Sequence, residues 1–384
     1  MYLPNYKDGS IVNLMSSISK SFGVKNRYNP LKLLPPQELN KARNVVLLVL
    51  DGLGYEFLKK NKNSYLKRAL TGRITSVFPP TTATAITTFA TGVAPQQHAY
   101  TGWFMYLNEI RLVSKILPFV PRAGGPVLTK LGLKIETVLP EQNFASKIKA
   151  KTYFIIQKYL SGSEFTRNAS KRSKLMEYNT LAGLFSQLRK AIKSGNQRKY
   201  IYAYWPKFDS LAHMYGINSK QIERHFMELD AKIKKFVNSL KNTNSAIIIT
   251  ADHGLIDTTK NKMLMLKTYP KLSECLILPF CGDSRTVYCY VHPSKIKQFE
   301  KYVKNKLGKV CWLRKSSEMI RKNYFGLFKP SSKLFDRVGD YALIMKENYT
   351  FKDKLPNERR EIHIGNHGGV SKEEMFVPLI AIKT

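Results

Sequence analysis

Asn44-Val45-Val46-Leu47-Leu48-Val49-Leu50-Asp51-Gly52 is the stretch from which the rest of the chain is read. Its apolar residues run on without alternation. That predicts a strand buried on both faces, as in a parallel sheet covered by helices. Asp51 and Gly52 close the run where the strand hands its carboxyl end to a loop. Three other segments repeat the design. Lys199–Trp205 is followed by Asp209 and His213, and Ser245–Thr250 by Asp252 and His253. The run 377–382 is preceded by His367, within Ile364-Gly365-Asn366-His367-Gly368-Gly369. Between these runs, Ile222, Phe226, Leu229, Ile233, Val237 and Leu240 recur at steps of four and three, an amphipathic helix packed on a core. Buried strands alternating with such helices predict an α/β fold that takes ligands outside the carboxyl ends of its strands.

Working outward, residues 1–43 are expected to form an N-terminal arm with a helix over 11–22. The core is expected over 44–274 and 333–384. A lid-like insertion at about 102–198 interrupts it, with few strand signals and many basic and aromatic residues. Residues 275–332 read strand (286–291), helix (294–307), strand (310–314), helix (318–324), a small inserted α+β cap.

The chain has 384 residues and a net charge of +36, from 63 Lys and Arg against 27 Asp and Glu. Such an excess draws anions, and small phosphorylated molecules and nucleic acid are both candidates. The basic residues are scattered, so no dedicated basic tail is present. Cys275, Cys281, Cys289 and Cys311 form no C-x2-C pair, which excludes a zinc ribbon; buried free thiols are expected. No apolar run is long enough to span a bilayer. Residues 1–8 carry no apolar core of a signal peptide, and a cytoplasmic location is expected.

The chemistry gathers at the strand ends. Asp51, Asp209, Asp252, His213, His253 and His367 all fall there, and the chain has only seven histidines. Three carboxylates and three imidazoles suit two divalent ions, Zn2+ first and Mn2+ as the alternative. Two such ions, about 4 Å apart, clamp the attacking and leaving oxygens of an in-line displacement. A nucleophile candidate stands in Phe78-Pro79-Pro80-Thr81-Thr82-Ala83-Thr84-Ala85, where Pro80 precedes a helix that stops at Gly92. A hydroxyl at a helix start meets free N–H groups and the positive dipole end, which favour phosphate. Bound to a metal, Thr82 becomes an alkoxide. His98 reads as a capping or surface residue, His225 and His292 as structural, and His363 as a support behind His367.

Five motifs stand in an order that resembles the alkaline phosphatase superfamily, most closely its type I phosphodiesterase/nucleotide pyrophosphatase family. They are Leu50-Asp51-Gly52, Phe78-Pro79-Pro80-Thr81-Thr82, Asp209-Ser210-Leu211-Ala212-His213, Ala251-Asp252-His253-Gly254, and Asn366-His367-Gly368-Gly369 with the segment 373–378. They frame the chain from about residue 44 to its end. The resemblance implies a three-layer α/β/α sandwich with a mostly parallel sheet. It implies one metal on Asp51, Thr82, Asp252 and His253, and a second on Asp209, His213 and His367. It also implies a covalent phosphothreonine on Thr82. The family commonly places an Asn three residues after the nucleophile, where this chain has Ala85. The substitute phosphate contacts are expected from Thr81, Thr84, backbone amides or a side chain of an insertion, and Trp103 is a candidate stacking surface. The sulfatase signature, C/S-x-P-x-R, is absent.

The expected function is a metal-dependent phosphodiesterase or nucleotide pyrophosphatase. The alternatives are a phosphomonoesterase of the same superfamily, or an inactive nucleic-acid-binding relative.

Overall fold

The four long apolar runs lie side by side. The computed structural model describes residues 1–356, 358 and 362–384. Its central sheet contains β1 (Asn44–Leu50), β2 (Leu70–Thr75), β3 (Lys151–Gln157), β4 (Lys174–Tyr178), β5 (Lys199–Trp205), β6 (Ser245–Thr250) and β7 (Phe376–Lys383). They lie in the order β2-β7-β6-β1-β5-β3-β4. Every residue of β1, β5 and β6 is buried, as unbroken apolar patterning requires of strands covered on both faces. β1 runs parallel to both β5 and β6, and β3 parallel to β5 and β4. Only β7 is antiparallel to its neighbours, so the sheet is mostly parallel. Val49 lies opposite both Tyr204 and Thr250, so β1, β5 and β6 end level. That shared edge gathers their carboxyl-end loops.

Helices pack around this sheet. α1 (Ile11–Ser21) lies against α2 (Thr82–Thr91), and α3 (Leu181–Ile192) against β3, β4 and β5. α4 (Lys207–Tyr215) packs on α5 (Lys220–Asn238), whose Ile222, Phe226, Leu229, Ile233 and Val237 are all buried. The N-terminal arm is thereby built into the core, with Ile11, Val12, Leu14, Met15 and Ile18 fully buried.

A second sheet stands beside the first. Its strands, in spatial order, are Cys311–Lys315, Tyr341–Met345, Thr286–Cys289, Cys281–Asp283, Phe104–Leu107, Leu112–Lys115 and Val120–Pro121. All its pairings are antiparallel. The elements expected in the cap are present, but the boundaries differ from those expected. The sheet draws one strand from beyond residue 332 and three from the expected lid. Further along the expected lid, β3 and β4 join the central sheet and α3 packs on it. The short apolar centre of β3 (Tyr153 to Ile156) is framed by lysines. Its strand character rests on being paired along both edges. All four cysteines are free and buried, and burial pushes the Cys281 and Cys311 thiols up to about 12. Among the described residues, no helix is long and apolar enough to cross a membrane.

Candidate active site

The loop after β1 is pinned between its neighbours. Asp51 N–H donates to the Trp205 carbonyl at 3.0 Å. Gly52 follows at φ 78°, and its N–H donates to Asp252 Oδ1 at 3.0 Å. A side chain there would come within 3.0 Å of Asp209 Cβ, so both the conformation and the space demand glycine. Asp252 Oδ1 also accepts the His253 N–H at 3.0 Å. The inner oxygens of both acids then turn to one imidazole. His253 Nε2 lies 3.4 Å from Asp51 Oδ1 and 3.3 Å from Asp252 Oδ2. Tyr204, on β5, donates its hydroxyl to the other Asp51 oxygen.

Asp209 and His213 lie one turn apart on α4 and face the same way, with His213 Nε2 3.2 Å from Asp209 Oδ2. His213 Nδ1 is 2.8 Å from the Gly365 carbonyl, and donation there leaves Nε2 as the free nitrogen. His367 stacks on His253 with ring centroids 3.8 Å apart, and its Nε2 is 3.9 Å from Asp209 Oδ1. His363 stands behind, its ring 4.3 Å from that of His213. The His367 loop is braced from the second sheet. Buried Arg285 donates to both Glu374 oxygens, at 2.9 and 2.7 Å, and Glu374 accepts the Gly369 N–H at 2.7 Å.

Thr82 is the first residue of α2, with Thr81 as its N-cap. Its Oγ1 lies 3.1 Å from His253 Nε2. The predicted nucleophile and all six predicted ligands therefore converge, although the chain separates them by up to 316 positions.

The donor set fits cations. Asp51 Oδ1, Asp209 Oδ1, Asp252 Oδ2 and His367 Nδ1 are buried without a hydrogen-bond partner. Unpaired buried carboxylate oxygens in mutual contact are costly unless positive charge meets them. Burial, then the charges of Asp252 and Asp209, hold the Asp51 carboxyl well above its usual range. Burial acts upward on Asp209 as well, but His213, His367 and His253 outweigh it and pull that carboxyl down. Burial, then His253, pushes His367 well below the ordinary histidine range, so its ring is neutral and able to ligate. Asp51, Asp252 and His253 each bring a donor atom within 4.8 Å of one another, and so do Asp209, His253 and His367. The two groups meet at His253.

The substrate-contact candidates fare unequally. Thr81 is buried at the helix cap, and its hydroxyl bonds the Asp283 carboxyl. Thr84 is fully buried, two positions from Thr82, and its Oγ1 has no hydrogen-bond partner. Ala85 shares the Thr82 face but is also fully buried. Trp103 is half-buried, its N–H donating to Asp283 Oδ2 at 3.3 Å. His98 is not at the surface. It is buried with Nε2 3.1 Å from Thr88 Oγ1, and burial, aided by Arg337, pushes it down to about 3. His225 accepts a bond from Trp205 Nε1 and His292 bonds Ser294, both structural roles.

Sequence reasoning missed Tyr204, Asp283 and the Arg285–Glu374 clamp. Asp283 overhangs the site from the second sheet, and burial pushes its carboxyl up to about 6. No local pattern marks these residues. Tyr204 alone carried a signal, as a hydroxyl near the carboxyl end of an apolar strand.

A family model described as type I phosphodiesterase / nucleotide pyrophosphatase matches residues 45–370. Murine ectonucleotide pyrophosphatase / phosphodiesterase 5 is similar in structure over 88% of this chain and 87% of that one, with TM-score 0.65 and 16% identity. An inactive form of it, in complex with AMP, matches equally well. Phosphonoacetate hydrolase from Sinorhizobium meliloti 1021, in complex with phosphonoformate, is similar over 89% of this chain and 90% of that one, with TM-score 0.63 and 15% identity. At these identities the likeness is one of fold. No curated protein matches the chain. Nucleic acid as a partner finds no support in these relatives.

Proposed function

The chain belongs to the type I phosphodiesterase/nucleotide pyrophosphatase family and is a hydrolase of phosphoric ester or anhydride bonds, and on that premise we propose that it cleaves phosphodiesters or pyrophosphates by attack of Thr82 Oγ1 between two divalent cations. The observation that carries this reading is Thr82 Oγ1 at 3.1 Å from His253 Nε2, at a helix start and beside partnerless carboxylate oxygens. Asp51, Thr82, Asp252 and His253 would hold one cation, and Asp209, His213 and His367 the other. Zinc suits this mixture of imidazole and carboxylate, with manganese as the alternative. When bound, the cations lower the hydroxyl pKa and neutralise charge on the attacking and leaving oxygens.

The chain's own groups do the remainder. Free N–H groups in the first turn of α2 receive the phosphate oxygens, and the helix dipole favours their charge. Thr82 releases its proton to solvent. Its Oγ1–phosphorus bond forms as the bond from phosphorus to the leaving oxygen breaks, and that oxygen takes up a proton. Water then attacks the phosphothreonine. A new oxygen–phosphorus bond forms, the Thr82 bond breaks, and Thr82 regains a proton. A nucleotide is the reference substrate, supported by the AMP complex of the murine relative.

The test compares bis(p-nitrophenyl) phosphate with p-nitrophenyl phosphate on protein loaded with Zn2+ or Mn2+. Faster turnover of the diester is expected. Thr82→Ala should lower that rate by more than about 10³-fold while elemental analysis finds most of the metal retained. A preference for the monoester sinks the diesterase reading, and turnover by Thr82→Ala within tenfold of wild type sinks the nucleophile.

A further inference from the structure

Tyr6 lies in the N-terminal arm, outside every motif that carries the chemistry, and it is buried. A phenylalanine would fill the same space. A hydroxyl in the interior is costly unless it is bonded, and this one makes two bonds. It accepts the Phe78 N–H at 3.1 Å and donates to the Tyr324 carbonyl at 3.0 Å. Phe78 opens the segment Phe78-Pro79-Pro80-Thr81-Thr82 that leads to the nucleophile.

That segment has few other anchors. Pro79 and Pro80 have no N–H to give. The Thr81 N–H turns back to the Pro79 carbonyl, at 2.9 Å. Among the described residues, the Phe78 N–H is the one backbone donor of residues 77–81 that bonds outside the segment. The two proline rings fix φ at successive positions, so a shift at Phe78 is carried on to Thr82 and not absorbed on the way. The Phe78 side chain meets the same neighbour. It is fully buried, with its ring edge-on to Tyr324 and Phe325 at 5.5 and 5.4 Å.

The stretch that carries Tyr6 is itself fastened beside the site. The Asn5 N–H donates to Thr75 Oγ1, and the Thr75 N–H to the Gly9 carbonyl, both at 2.9 Å and at the end of β2. Asn13 Nδ2, on α1, donates to the Tyr6 carbonyl at 3.1 Å. The Tyr2 N–H donates to the Val370 carbonyl at 2.8 Å, three residues past His367. One short stretch of the arm thus holds both the approach to Thr82 and the loop that presents His367.

From these contacts we propose that Tyr6 is a positioning residue for the reaction. Its hydroxyl sets where Thr82 Oγ1 stands against His253 and the candidate cation ligands, and it acts on the rate of attack without touching the substrate. The proposal rests on the reading of Thr82 as the nucleophile.

Tyr28 supplies a matched control. It lies in the same arm and is buried, and its hydroxyl bonds Gln97 Oε1 at 2.8 Å and accepts the Leu327 N–H at 3.0 Å. It ties the arm to the chain just past Tyr324 but bonds nothing in the segment before Thr82.

The test follows bis(p-nitrophenyl) phosphate turnover by the metal-loaded protein, together with urea unfolding and elemental analysis. Tyr6→Phe keeps the ring and removes the hydroxyl. A misplacement of about 1 Å costs on the order of a hundredfold in rate, so kcat should fall about 10–100-fold, with KM within about threefold and metal content unchanged. Tyr28→Phe should lower the urea midpoint to a similar extent while kcat stays within about twofold of wild type. A purely structural hydroxyl would move both midpoints and neither kcat. In the Thr82→Ala background, Tyr6→Phe should change the residual rate by less than about twofold, because it acts through Thr82. Thr75→Val loosens the arm without altering Tyr6 and should lower kcat about three- to tenfold. It carries the test if Tyr6→Phe fails to fold, and an unchanged kcat there then overturns the proposal. Near wild-type turnover by Thr82→Ala alone sinks the nucleophile, whatever the Tyr6 variant does. An unchanged kcat in Tyr6→Phe, an equal loss of kcat in Tyr28→Phe, or a full Tyr6 effect in the Thr82→Ala background overturns the positioning role.

Discussion

Glu374→Gln tests the brace beneath the His367 loop. Arg285 and Glu374 are 1% and 0% exposed and meet through two bonds, at 2.9 and 2.7 Å. Arg285 also donates to the Tyr349 carbonyl, and Glu374 to nothing, since its oxygens accept from Gly369 and Ser371 as well. Glutamine keeps the shape and one acceptor but leaves a guanidinium buried without its counter-charge. Breaking a buried pair in this way costs about 3–5 kcal/mol. The retained acceptor and the Tyr349 bond put the expectation near the lower end, about 3 kcal/mol at pH 7. The assay is urea unfolding of the metal-free protein, read as a lowered midpoint at unchanged slope. Metal affinity should fall about 10–100-fold, because the loop that presents His367 loses its support. Replacing both partners, Arg285→Met with Glu374→Leu, should recover most of the stability, since no charge is then buried. The pH dependence follows from the depressed Glu374 carboxyl. Burial raises it, but Arg285 and the bonds from Ser371 and Gly369 outweigh burial. Its contribution is complete above the ordinary value of 4.5 and is lost as pH falls below that, through the folded value. The gap between wild type and Glu374→Gln should therefore narrow in that acid window. A Glu374→Gln protein within about 0.5 kcal/mol of wild type at pH 7 would refute the reasoning.

Tyr204→Phe removes the hydroxyl that orients Asp51 and should weaken metal binding about 10–100-fold, measured by competition with a chromogenic chelator; unchanged affinity would make Tyr204 a packing residue of β5 and nothing more. Stripping the metal should destabilise the protein most near neutral pH. Burial and the charges of Asp252 and Asp209 raise the folded Asp51 value, so its protonated form stabilises the metal-free fold at low pH. That stability is lost as pH rises above 3.8 and through the raised value. Zn2+ should accordingly raise Tm more at pH 7 than at pH 5, where protons compete for the ligands. An equal rise at both would refute the cluster's electrostatics.

The candidate ligands Asp51, Asp252 and His253 were legible because they closely follow strand ends that unbroken apolar runs mark, and Asp209 and His213 because they lie in the segment that follows another such run. Helix α5 was legible for the same reason, its stripe being a local pattern. The sequence ordering of Asp51, Thr82, Asp209, Asp252 and His367 was enough to suggest the family. The burial of Thr84 was not legible, because a run of threonines does not show which faces of α2 are buried. The expected lid dissolved into two sheets because short strands such as 104–107 and 151–157 are stabilised by partners distant in the chain.

The sequence by itself determined the α/β class, the strand-end acids and imidazoles, and a hydroxyl at a helix start. Burial periodicity and end-of-strand chemistry are properties of a few consecutive residues, so they can be read without knowing what lies alongside. Only the tertiary structure decided the direction of β7, the Arg285–Glu374 brace, the Tyr204 bond to Asp51 and the Tyr6 bond to Phe78. Each depends on how elements far apart in the chain pack against one another, and packing is settled by the shape and satisfied polar groups of both partners at once.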